Sequence, residues 1–179
     1  MRILLTGGSA CGKSTFAEAL ASRLPQPHIY LATMRPYDQE SAEKIARHKK
    51  MRLERDFCTV ERDVDIAGAE FAEGGTVLLE CMCNLTANEL FDDEGRADAQ
   101  AYQRILQGIL SLEGRSEHLI VVTNDVGSGT TEGYGEQTRL YVETLGRLNA
   151  QLAAGFDVVC ELVCGIPLCL KGDLSECLS

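Results

Sequence analysis

Arg2-Ile3-Leu4-Leu5-Thr6-Gly7-Gly8-Ser9-Ala10-Cys11-Gly12-Lys13-Ser14-Thr15-Phe16 opens with a short apolar run, passes through a glycine-punctuated loop and leads into a helix-forming stretch. Gly7 to Ser14 satisfies the G-x-x-x-x-G-K-[ST] spacing between a strand and a helix. The glycines let the backbone wrap with its N–H groups inward, the helix N-terminus adds partial positive charge, and Lys13 reaches the outer phosphates. Gly7, Gly8, Ser9, Ala10, Cys11, Gly12, Lys13 and Ser14 are therefore expected to cradle a nucleoside triphosphate, with the Ser14 hydroxyl on Mg²⁺.

Outward from this motif, apolar β-rich runs alternate with helix-like stretches, the pattern of a single α/β P-loop domain with a mostly parallel central sheet flanked by helices. Strands are expected at Ile3–Leu5, His28–Ala32, Phe57–Glu61, Val77–Glu80, Leu119–Thr123 and Val158–Val163. Helices are expected at Lys13–Leu24, Gln39–Lys50, Ala97–Leu112 and Thr138–Ala153. No repeat or interdomain linker divides the 179 residues, a length that suits one domain with a substantial core. The glycine-rich run Gly127–Gly135 is too long for a tight turn and reads as a functional loop.

A P-loop needs an acidic partner at a strand end, and Glu80, after Val77-Leu78-Leu79, is the first choice. Asp125 is a second carboxylate beyond a strand's carboxyl end; it either serves the metal or caps the loop that follows.

The net charge of −10 argues against nonspecific nucleic-acid binding. Against that background, Lys44, Arg47, Lys49, Lys50, Arg52 and Arg55 stand close together with Glu54 as the one acid among them, a segment suited to an anion. His48 lies inside it. Neighbouring cations disfavour protonation, so the imidazole is expected to stay neutral and nucleophilic while they hold a polyphosphate against it. Attack on an α-phosphate would displace pyrophosphate and leave a nucleotidyl-histidine. His28 and His118 stand at the heads of strands and read as sheet-edge residues.

Eight cysteines without an export signal read as reduced thiols. Cys81-x-Cys83 lacks both the C-x-x-C spacing and a nearby histidine, so small buried hydrophobes are the simpler reading than zinc ligands. No run approaches the roughly 20 apolar residues of a membrane span, and a cytoplasmic location is expected.

Several spaced blocks resemble, in order, the bifunctional adenosylcobinamide kinase / adenosylcobinamide-phosphate guanylyltransferase family of cobalamin biosynthesis. They are Leu5-Thr6-Gly7-Gly8 with Gly12-Lys13-Ser14; Tyr30-Leu31-Ala32-Thr33; Lys44-Ile45 with His48-Lys49 and Arg52; Thr59 with Glu61; Leu78-Leu79-Glu80-Cys81; Val122 to Gly127 with Gly129; and Gly146-Arg147 with Asn149. The resemblance implies GTP as substrate, with ATP open for the kinase step, and adenosylcobinamide and its phosphate as the corrinoid partners. It implies that His48 takes GMP, that Ala32, Thr33 and Met34 and Lys49, Lys50, Met51 and Arg52 help hold guanine nucleotide, and that Glu61 and Glu80 add contacts. It also implies a homotrimer whose active sites lie between subunits.

The chain departs from the family pattern at four places. Ala10-Cys11 stands where Arg-Ser is common, Leu53 where proline is usual, Thr130 to Glu136 lacks the usual Ile-Val-Pro, and Ala150 replaces a glutamine. Two other readings stay open on the residues alone: a P-loop kinase of another small metabolite, with His48 part of an anion-binding face, and a noncatalytic GTP-binding relative.

Overall fold

The computed structural model describes residues 1–35, 56–126 and 133–178. The basic segment with His48, Lys49, Lys50, Met51 and Arg52, the helix expected at Gln39–Lys50, and most of the glycine-rich loop lie outside the described residues.

The expected apolar runs form β1 (Arg2–Thr6), β2 (His28–Ala32), β3 (Phe57–Glu61), β4 (Thr76–Leu79), β5 (His118–Val122) and β6 (Val158–Val163). A seventh strand, β7 (Ile166–Lys171), pairs antiparallel to β6; every other pairing is parallel. The sheet order is β3-β2-β4-β5-β1-β6-β7. Strands covered by helices on both faces need apolar side chains at successive positions, which is why they read as runs rather than alternations. β2 and β4 are buried along their whole length.

The helices are α1 (Lys13–Ala21), α2 (Met82–Leu90), α3 (Ala101–Arg115), α4 (Glu136–Gly155) and the short α5 (Ser175–Leu178). α1 ends three residues before the expected Leu24, where Arg23 and Leu24 close tighter turns onto Leu20 and Ala21. α3 starts at Ala101 rather than Ala97, because Ala97 bridges Phe91 and Asp98 accepts the Gln100 and Ala101 N–H groups in a turn before the helix.

Alternation within the strands sorts the core into two layers. Leu4, Ile29, Leu31, Val77, Leu79, Leu119 and Val121 face α2, α3 and α4. Ile3, Leu5, Tyr30, Leu78, Ile120 and Val122 face α1 and the C-terminal segment. The edge strand β7 leaves Ile166, Leu168 and Leu170 exposed.

Candidate functional site: the P-loop pocket

All parallel strands point their carboxyl ends to one edge, where open α/β sheets place ligands. At that edge β1 gives way to the P-loop. Gly7 leaves the strand at φ +139°, and a Cβ there would stand 2.6 Å from the Leu162 carbonyl oxygen of β6. Only glycine lets the loop lie this close to its neighbour strand. Ala10 and Gly12 also take positive φ, 56° and 98°, completing the wrap before α1. The far side is supported by the β6–β7 hairpin: Cys164 and Gly165 both have positive φ, as a two-residue type I′ turn requires. The Gly165 N–H donates to the Cys11 carbonyl at 2.8 Å.

Lys13 is 7% exposed. Its ammonium donates to the carbonyls of Gly7 at 2.9 Å and Gly8 at 2.6 Å. An ammonium has three donors, and among the described residues the third has only Cys11 Sγ at 3.7 Å. Two carbonyls fix the group while its last N–H suits a phosphate oxygen.

The register sets the acidic partner. Leu79 is level with Val121, and Val121 with Leu4. Glu80 therefore stands level with Leu5, two strand spacings or about 10 Å from β1. The Glu80 N–H donates to Leu31 O at 3.1 Å. Its Oε2 accepts the Thr33 N–H at 3.2 Å, and the Thr33 hydroxyl donates to the Cys81 carbonyl at 3.0 Å. The ends of β2 and β4 are thereby tied together at the pocket.

A cavity of about 440 Å³ joins these parts, lined by Ser9 to Thr15, Met34, Glu80, Cys81, Asn84, Val122 and Asn124. The volume falls in the range of small-ligand sites. The structure thus brings Ser9, Ala10, Cys11, Gly12, Lys13, Ser14, Met34 and Glu80 together, with Gly7 and Gly8 anchoring Lys13. Ala32 is in the core and Thr33 is fully buried with its hydroxyl engaged, so neither joins Met34 in the lining. Glu61 ends β3 on the far side of β2, exposed and outside this lining. Asp125 is exposed and is not in the lining; its N–H meets Gly7 O at 3.4 Å.

Thr15, Cys81, Asn84, Val122 and Asn124 line the pocket without having been expected there. Thr15 continues the motif by one residue. Asn84 sits on α2, a helix absent from the sequence expectations. Asn149, on α4, also gains a place: it accepts from the Thr123 hydroxyl at 2.8 Å and donates to the Asn124 carbonyl at 3.2 Å, so it fixes the loop after β5.

The α2 N-terminus brings Cys81 to the pocket wall, with Cys83 buried behind it in the core. The hydrogen bond between them, together with burial, pushes Cys81 up. The same bond holds Cys83 down, helped by Tyr141 and the Asn124 N–H. None of the eight cysteines is in a disulfide. Among the described residues no group of three or more His, Cys, Asp or Glu could hold a metal ion by itself. Among the described residues no helix is long and apolar enough to cross a membrane.

Comparison with known proteins bears on the whole chain. A family profile described as cobinamide kinase / cobinamide phosphate guanyltransferase matches residues 3–170. The bifunctional adenosylcobalamin biosynthesis protein CobU of Escherichia coli (strain K12) is 34% identical over 184 residues, covering 96% of this chain and 100% of that one. The protein CobP of Pseudomonas aeruginosa, described in the same words, is 33% identical over 177 residues, covering 97% and 99%. A solved ATPase from the type III secretion system of pathogenic bacteria superposes with a TM-score of 0.51 at 12% identity, covering 99% of this chain and 61% of that one, a likeness of fold alone. From the match across residues 3–170 and the end-to-end identity to both relatives, this chain belongs to the cobinamide kinase / cobinamide phosphate guanyltransferase family.

Proposed function

We propose that the chain carries out both reactions named by its family, each with GTP. The γ-phosphoryl group passes to the aminopropanol hydroxyl of adenosylcobinamide, and GDP leaves. His48 then attacks the α-phosphorus of a second GTP and pyrophosphate leaves. The corrinoid phosphate attacks the resulting GMP-histidine, giving adenosylcobinamide-GDP and restoring His48. The observation that carries this reading is the convergence of Lys13, Ser14, Met34 and Glu80 on one pocket in a chain of this family.

The pocket's donor set suits Mg²⁺, which keeps several waters and takes one or two protein oxygens together with substrate phosphates. Ser14 would bind it directly, and Glu80, held by Thr33, would take the metal or one of its waters. Asp125, outside the lining and next to Asn124, would serve the metal only through water. When bound, the ion neutralises charge on the phosphate oxygens. Lys13 and the P-loop N–H groups hold the triphosphate while His48, from the basic segment, meets the α-phosphate. Lys49 to Arg52 and Ala32 to Met34 frame the guanine nucleotide. The proposed assembly is a cytoplasmic homotrimer with sites between subunits.

Incubation with α-labelled GTP tests the histidine step. Acid-labile, alkali-stable label is expected on the protein and absent from His48→Ala, which keeps GTP binding. If no label forms with or without corrinoid while γ-label still reaches adenosylcobinamide, the chain is a kinase alone. GTP bound but never consumed would overturn both halves.

A further inference from the structure

Beyond the pocket, two thiols meet across the last hairpin. Cys160 on β6 and Cys169 on β7 are register partners in the antiparallel pair, and the register shift between Val159 and Cys160 falls at this point. Their sulfurs are in direct contact, 2.6 Å apart. Directly opposed antiparallel residues hold their Cβ atoms about 4.5–5.5 Å apart, the near end of which meets the upper end of what a disulfide spans. Cys160 is fully buried, whereas Cys169 is exposed. Burial and the contact with Cys169 push the Cys160 thiol up. A reagent in solution therefore meets Cys169 first, with Cys160 waiting behind it.

The hairpin also touches the P-loop at two points. Leu162 O stands behind Gly7, and Gly165 donates to Cys11 O.

We propose that Cys160 and Cys169 form a thiol–disulfide modification site, oxidised reversibly by small-molecule disulfides, that fixes the hairpin on which the P-loop rests. Cys169 as thiolate attacks one sulfur of oxidised glutathione, and one glutathione thiolate leaves. Cys160 then attacks the Cys169 sulfur of the mixed disulfide, and the second glutathione leaves. Two protein thiols are oxidised, one glutathione disulfide is reduced, and the two protons end on the two glutathione thiols.

The test treats the full chain with oxidised glutathione, alkylates what remains and measures intact mass. A loss of about 2 Da with two fewer alkylated thiols is expected, reversed by dithiothreitol. Cleavage after Glu161 separates the two cysteines in sequence, so the crosslink joins two peptides under nonreducing conditions. Cys164→Ser is expected to keep the link, and Cys160→Ser to stop at a glutathione adduct on Cys169. A wild-type protein that retains the adduct, links a different pair or stays fully alkylated overturns the site. Amide hydrogen exchange reads the coupling: oxidation is expected to slow residues 7–12 as well as 159–166 in wild type, and not in Cys160→Ser. Unchanged exchange at the P-loop in a crosslinked protein overturns the link to the nucleotide site.

Discussion

An alanine at position 7 asks one residue to solve two problems at once. Its φ of +139° lies where side chains are rarely tolerated, and its Cβ would press on the Leu162 carbonyl. Either the P-loop or β6 must move. Gly7→Ala is expected to lower stability by about 1–3 kcal/mol and to weaken triphosphate binding, because the displaced carbonyl is one that holds Lys13. Urea unfolding and titration with a fluorescent GTP analogue would show both effects; a variant equal to wild type in each would contradict the close packing of loop on strand. His118 offers a second residue-scale test, this time in pH. Burial and then the nearby N-terminal ammonium hold it below the ordinary 6.5, with Glu117 opposing. Its Nδ1 has no hydrogen-bond partner among the described residues. Because the folded pKa is depressed, the unfolded chain takes up the proton first, and stability falls as pH drops through about 6.5. His118→Gln is expected to flatten that slope in urea midpoints measured just below this pH. An unchanged slope would mean that other groups carry it.

At the scale of elements, α3 contains two glycines in opposite surroundings. A Cβ at Gly108 would lie 2.3 Å from Ile66 Cγ1, in the 3₁₀ turn that packs on the helix, whereas a Cβ at Gly114 would meet nothing within 4 Å. Alanine gains about 1 kcal/mol over glycine in a helix interior, but overpacking a core costs about 1–3 kcal/mol. Gly108→Ala is thus expected to be net destabilising and Gly114→Ala neutral to stabilising by up to about 1 kcal/mol, less near the helix end. Thermal denaturation of the two variants would show opposite shifts; shifts of the same sign would remove the Ile66 contact as the reason for a glycine at 108. The elements also differ in how legible they were. Five of the six parallel strands could be read because burial on both faces demands apolar runs; β3, at the sheet edge with only Phe57 buried, showed itself by its β-favouring Phe, Thr and Val. β7 could not: Ile166-Pro167-Leu168-Cys169-Leu170-Lys171 is mostly exposed, and Pro167 is tolerable only at a sheet edge. α2 was missed for the opposite reason. Seven of its nine residues are buried, so it shows no amphipathic stripe, and its Cys, Asn and Thr residues favour no helix by themselves. The phosphate cradle was plain in Gly7 to Ser14. Its support by Gly165, and the placement of Asn84, depend on elements far away in sequence and on the unread helix.

For the whole molecule, the decisive question is where the two halves of the proposed site come from. The P-loop half, with Lys13, is seated on β1, while His48 belongs to a basic segment between β2 and β3. If the proposed homotrimer places each site between subunits, His48 of one chain serves the P-loop of another. A closed ring makes this testable by mixing two inactive chains. Lys13→Ala supplies a sound histidine beside a crippled P-loop; His48→Ala supplies the reverse. Each alone is expected to form no GMP-histidine. Co-expressed in equal amounts and assembled at random, they restore an intact site wherever a His48→Ala P-loop faces a Lys13→Ala histidine, about a quarter of all sites. Labelling from α-labelled GTP should then recover to roughly that fraction of wild type, all of it on the Lys13→Ala chain. A site built within one chain gives none, because every chain then carries one broken half. Light scattering reads the assembly as a multiple of the 19.5 kDa chain, and recovery of the His48→Ala chain with a tagged Lys13→Ala chain confirms that the two kinds of subunit share one particle before the label is counted.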